Sequence, residues 1–225
     1  MSATLCIGLR FRPGSDPEQW ARTLRGLLEW EPALTPATVQ RRGEPAAADD
    51  EPWSDELWAE LARRCATLQS WSWGLENRAG SGTSLDVGIG QHQGETLIGM
   101  DRPQGDLAQR FVELLDAVRG GAEPAMGFLY DCAAHDHAEF VFEGLHRLTG
   151  VPPLLYLDAR ALTHVGGRSG LAQAPCRRIE TTGGGLLLVI TDPWESTAAD
   201  RRRATEVAHL LGISTGSPVS FLDPS

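Results

Sequence analysis

"WSWGLENRAGSGTSLDVGIG", residues 71–90, decides the fold class. Two runs alternate apolar and small or polar residues, as half-buried strands do. Between them lies "RAGSG", a short glycine-bearing connection of the kind that closes a β-hairpin. A hairpin makes neighbouring strands antiparallel. A third strand near Glu95–Met100 extends it, and the spacing predicts a helix over 105–119, with Leu107, Phe111, Leu114, Leu115 and Val118 on one side.

Upstream, "TLCIGLRF" (4–11) reads as a strand and "SDPEQWARTLRGLLEW" as a helix. Asp16 suits the N-cap, Pro17 the first helical position and Glu18 the first turn. Trp20, Leu24, Leu27 and Leu28 make its apolar face. Residues 31–52 carry Pro32, Pro36, Pro45, Pro52, an alanine run and Asp49-Asp50-Glu51, which reads as a mobile loop. A helix capped by Ser54 follows, burying Leu57, Leu61, Cys65 and Leu68. Downstream come a buried strand "AMGFLY" (125–130), a helix over 138–148, and strands "PLLYLD", "RRIETT" and "GLLLVITD". A last helix starts at Ser196 and stops at Gly212. Hairpins interspersed with helices predict an α+β fold with a largely antiparallel sheet, one domain over 1–225.

Bulk composition narrows the chemistry. The chain has 225 residues, 41% of them hydrophobic, with mean hydropathy -0.22, as a globular protein should. The longest apolar run, Leu186–Ile190, is far too short to cross a bilayer, and no basic, apolar leader opens the sequence. A cytoplasmic protein is expected. Cys6, Cys65, Cys132 and Cys176 form no C-x-x-C pair, so neither a zinc ribbon nor a disulfide framework is expected. All 20 Lys and Arg residues are arginine. Without lysine there is no Schiff-base chemistry and no phosphate-loop lysine. The net charge of -10 repels nucleic-acid phosphates and attracts a basic partner.

Several motifs hold residue types that could carry chemistry. Gly183–Gly185 precedes a strand, whereas a phosphate cradle must open a helix. "GISTG" (212–216) follows a helix, and no histidine comes after Ser214, so it is no nucleophile elbow. The pairs Glu143/His146 and Glu206/His209 have di-iron spacing but fall on solvated helix faces. "YDCAAHDHAEF" (130–140) sets His135-x-His137 among Asp131, Cys132, Asp136 and Glu139. A metal-dependent hydrolase on His135 and His137 is one alternative. The spacing departs from the usual His-x-His metal patterns, and a strand-to-helix loop accounts for it more simply, with Asp136 or His135 as helix cap. Trp53, beside the acidic loop, and Trp194, in "TDPWES", are the tryptophans best placed to anchor an interface.

The stretch "CRRIETTGGGLLLVITDPWESTAADRRRATEVAHLL" (176–211) runs from an arginine-rich strand through a glycine turn and an apolar strand ending Thr-Asp-Pro into a helix. This resembles the immunity protein 52 family of bacterial polymorphic toxin systems, and the opening strand and amphipathic helix are similar in kind. The resemblance implies an α+β fold, no catalysis, no cofactor or bound metal, and a cognate toxin, typically a nuclease, as partner. On that reading Asp131, Asp136 and Glu139 become candidates for meeting a basic partner, with Trp53 and Trp194 as anchors. A regulatory protein-binding domain is the further alternative.

Overall fold

In a computed structural model of the chain, the described residues are 4–11, 17–42, 51–52, 54–59, 70–77, 84–90, 94–101, 103–135, 140–142, 147–194, 197–213 and 219–220. The chain divides into two compact units. A terminal unit comprises Met1–Ile7 and Ala125–Ser225, and a central unit comprises Gly8–Pro124. Strand β1 (Thr4–Phe11) contributes its first half to the terminal unit and its second half to the central one.

The central unit continues with α1 (Pro17–Trp30), a 3-10 turn at Pro32–Leu34, β2 (Pro36–Arg42), β3 (Glu51–Pro52), α2 (residues 55–59), β4 (Ser70–Asn77), β5 (Ser84–Gly90), β6 (Gly94–Asp101) and α3 (Leu107–Val118). Its strands lie in the order β1-β6-β5-β4-β2-β3. The hairpin read from residues 71–90 is there: β4 and β5 pair antiparallel, with Trp73 opposite Val87. β5 pairs antiparallel with β6 in turn. In β6, Thr96, Ile98 and Met100 are buried while Glu95, Leu97 and Gly99 are half-buried, the period of two expected of a strand with one face on a core.

Both long helices carry the apolar stripes expected of them. Trp20, Leu24 and Leu27 of α1 are buried, as are Phe111, Leu114, Leu115 and Val118 of α3. Leu28 is only half-buried. Trp20 meets Phe11 edge to face, ring centroids 4.7 Å apart, a favourable aromatic geometry. Asp106 caps α3, accepting from the N–H groups of Ala108 and Gln109. α1 begins at Pro17 as expected, and its expected cap, Asp16, lies outside the described residues. Ser54 caps α2, its hydroxyl accepting from the Leu57 N–H at 3.0 Å, and Trp58 is buried.

The two helices touch where α1 has no side chain. A Cβ at Gly26 would run into the carbonyl oxygen of Ala117 in α3. One turn earlier Thr23 bridges the elements, its hydroxyl donating to the Gln19 carbonyl and accepting from the Ala122 N–H at 2.8 Å. Backbone cannot yield as a side chain can, so Gly26→Ala must push the helices apart. Overpacking of this kind costs about 1–3 kcal/mol. Urea unfolding should show a lower midpoint with an unchanged slope.

Residues 31–52, expected as a loop, instead contain β2 and β3 among the described residues. Pro36 stands at the first strand position, where a missing N–H is tolerated, and a register shift between Pro36 and Thr38 absorbs the irregularity.

The terminal unit contains β7 (Pro124–Asp131), β8 (Val141–Phe142), β9 (Arg147–Leu148), β10 (Leu154–Leu157), α4 (Ala159–His164), α5 (Gly167–Gly170), β11 (Arg177–Glu180), β12 (Leu186–Val189), α6 (Ala198–Leu210) and β13 (Val219–Ser220). The main sheet runs β11-β12-β10-β7-β1, and β13-β9-β8 form a second sheet. β10 is antiparallel to both β7 and β12. Every residue of β7 and β10 is buried. Burying a Phe128 or a Leu155 removes apolar surface worth about 1.5–3 kcal/mol each.

The helix expected over 138–148 is corrected by β8 and β9, which pair antiparallel with Leu148 opposite Val141. The spacing of Val141 and Leu148 suits a helix face, but it suits a short hairpin equally. Pairing of Leu148 with Val219 of β13 settles it in favour of strands. Helices α4 and α5 were not expected. α4 is held by Asp158, which accepts from the Ala161 N–H at 2.6 Å.

β11 and β12 join through a loop in which Gly184 adopts φ 79. Thr181 N–H donates to Gly185 and Gly184 N–H to Thr181, the three-residue hairpin with glycine in the left-handed position. α6 is capped by Thr197, where Ser196 was expected. The Thr197 hydroxyl accepts from the Asp200 N–H while Asp200 takes the Thr197 N–H, a reciprocal box. Gly212, φ 73, ends the helix as expected.

The Thr197 hydroxyl and the Thr197 N–H both donate to the Asp200 carboxylate, at 2.6 and 3.0 Å, and with the nearby Arg203 they hold it below its usual range. A depressed folded-state pKa means the cap contributes above the unfolded carboxylate pKa and is lost as pH falls through the folded one. Carboxyl NMR should show Asp200 titrating below an ordinary aspartate, and Thr197→Val should return it toward that range.

Candidate partner-binding surface

The structure brings only part of residues 130–140 together. Tyr130, at the end of β7, is buried between Phe128 and Phe140, with ring centroids 6.2 and 5.3 Å away. Asp131 is only 8% exposed. Its Oδ1 accepts from the Ala133 N–H at 2.9 Å, and its carbonyl takes the N–H groups of Ala134 and His135. The aspartate read as a partner contact therefore shapes the turn that ends β7. His135 is half-buried, its ring 5.2 Å from that of Phe140. Asp136, His137 and Glu139 lie outside the described residues, as does Trp53. Among the described residues, no three His, Cys, Asp or Glu side chains group as metal ligands would. Trp194 is half-buried after Pro193, its N–H donating to the Asp192 carboxylate at 2.8 Å. Glu206 and His209 of the last helix are exposed, as their wheel positions require.

A different surface gathers charge. The central unit holds 19 acids against 12 arginines, and the terminal unit 11 against 8. Most of the net charge therefore sits on the central unit. There Glu18 and Glu29 of α1 and Glu113 and Asp116 of α3 are exposed, with Asp101, Asp106 and Glu123 near the ends of α3. The helices bury their apolar stripes and leave their charged stripes outward. Three of these acids have arginine neighbours one turn away: Glu18 with Arg22, Glu113 with Arg110 and Asp116 with Arg119. Such exposed pairs hold little energy and can be remade with another protein's cations.

Set into this surface, the Arg110 guanidinium lies 4.4 Å from the centroid of the Trp30 ring and donates to Glu31 at 2.7 Å. A planar cation on an indole and a carboxylate at its edge make a rigid polar knob. Sequence reasoning, which singled out Trp53 and Trp194, missed this surface. The signal it could have used was the spacing of charge along α1 and α3, which is readable on a helical wheel.

No protein-family model and no curated protein sequence matches the chain. Among solved structures it is similar to the Pseudomonas aeruginosa T6SS protein PA0821, with a TM-score of 0.62 at 14% identity, over 98% of this chain and 80% of that one. The two share a fold. A Pseudomonas aeruginosa structure of the toxic C-terminal tip of CdiA in complex with immune protein aligns over 60% of this chain and 90% of that one, at 12% identity and a TM-score of 0.35. At that score no common fold follows. No helix among the described residues is long and apolar enough to cross a membrane.

Proposed function

We propose that this protein is a non-catalytic immunity protein that binds a cognate bacterial toxin in the cytoplasm and blocks it. The outer face of α1 and α3 carries the reading: with the flanking Asp101, Asp106 and Glu123, its seven exposed acids outnumber Arg22, Arg25, Arg110 and Arg119. It offers carboxylates to a basic partner, and a nuclease presents such a basic surface to its nucleic acid. The fold shared with a T6SS protein supports the same context. Carboxylates steer the encounter, and aromatic groups such as Trp194 and the Arg110–Trp30 pair hold the complex once formed. Asp136, Glu139 and Trp53 stay in the proposal on sequence grounds.

The test is co-expression. The gene adjacent to this one is expected to encode a toxin whose lethality the chain relieves, and the purified proteins should associate below micromolar concentration. Lethal growth despite abundant soluble chain, with no association of the purified pair, sinks the reading.

A further inference from the structure

Two of the four cysteines meet in the terminal unit. Cys6 sits in β1 and Cys132 directly follows β7, the neighbouring strand of the same sheet. Their side chains hydrogen-bond to each other. Cys6 is buried and Cys132 exposed, so one sulfur is open to small reagents and the other waits behind it. The turn presenting Cys132 is fixed by the Asp131 carboxylate on the Ala133 N–H. Cys176 sits elsewhere, beside Arg178 and Arg203.

We infer that Cys6 and Cys132 are a redox pair, which peroxide closes into a disulfide that ties the first strand to the end of β7. The Cys132 sulfur, its proton released to solvent, attacks peroxide. The O–O bond breaks, and the departing hydroxide takes a proton to become water, leaving a sulfenic acid on Cys132. The Cys6 sulfur then attacks the Cys132 sulfur, the S–O bond breaks, and a second water leaves. Two thiols are oxidised and one peroxide is reduced to two waters. The second step is fast because Cys6 is already in contact. The first is slow. The hydrogen bond with Cys6, burial, and the charges of Cys6 and Asp131 all push the Cys132 thiol far up and keep it protonated. The pair therefore responds to excess peroxide and stays reduced otherwise. The inference is independent of the proposed function.

The intact chain is treated with excess hydrogen peroxide, quenched, alkylated and cut with trypsin without reduction. Without lysine, cleavage falls only at arginine, and peptides 1–10 and 120–147 each hold one cysteine. They should appear joined and two hydrogens lighter than their sum, with Cys65 and Cys176 alkylated. Closing so long a loop should raise the melting temperature by about 10 °C, reversed by dithiothreitol. Cys132→Ser, at an exposed position, should lose both the cross-link and the shift. Separately alkylated peptides, sulfinic acid accumulating on Cys132, or a bridge to Cys65 or Cys176 would each overturn the inference.

Discussion

If the chain binds a toxin as proposed, reversing four exposed acids at once, Glu18→Arg, Glu29→Arg, Glu113→Arg and Asp116→Arg, should slow that association by about 100-fold at low ionic strength. Each change adds two positive charges, so the chain moves from -10 to -2 and the central unit from -7 to +1. The side chains are exposed, and their ion pairs with Arg22, Arg110 and Arg119 are of the surface kind, worth about 0–1 kcal/mol each. The fold should survive, which circular dichroism would verify. Stopped-flow association across a salt series is the measurement. Native protein should lose rate steeply as salt rises, and the reversed variant should be slow and nearly flat. Equal rates for the two would remove the α1 and α3 face from the interface.

Glu95→Ala is expected to cost about 3–5 kcal/mol of stability. Arg10 in β1 is almost wholly buried, and the Glu95 carboxylate in the adjacent β6 forms an ion pair with it. Taking away the carboxylate leaves a guanidinium inside the sheet packing without that counter-charge. Its desolvation is then far less well repaid. The double variant Arg10→Met with Glu95→Leu should recover most of the loss, because apolar groups of similar volume need no counter-charge. A double-mutant cycle by urea unfolding reads the coupling. A small loss for Glu95→Ala alone would mean that the pair matters little.

How much was legible follows from where the signal lay. The β4–β5 hairpin could be read because alternation and a glycine connection agreed. So could α1 and α3, whose stripes run over three turns or more. β7 was legible from its apolar run. Residues 138–148 were misread because a short apolar segment has no decisive period, and the decision came from β13, some 70 residues further on. β2 was hidden by the prolines that bracket it, although Thr38 and Val39 favour strands. α4 and α5 are too short for a period to show. The candidate surface was missed for a related reason. Ligand-type residues are dense in sequence over 130–140. The acids of α1 and α3 are sparse in sequence and become a group only when the helices pack.

β11 ends the sheet order of the terminal unit, and its hairpin decides what that edge offers. Thr181 and Gly185 are hydrogen-bonded across the turn, so Ile179 and Arg177, two and four residues back, face β12. The peptide groups of Arg178 and Glu180 are then turned outward, an open template for any extended chain. The strand is only four residues long and carries three charges, which is how natural sheets keep such templates from recruiting copies of themselves. A crowded solution of this protein should therefore stay clear only while those charges last. Replacing Arg177, Arg178 and Glu180 with valine would turn a quiet border into a seed for fibres.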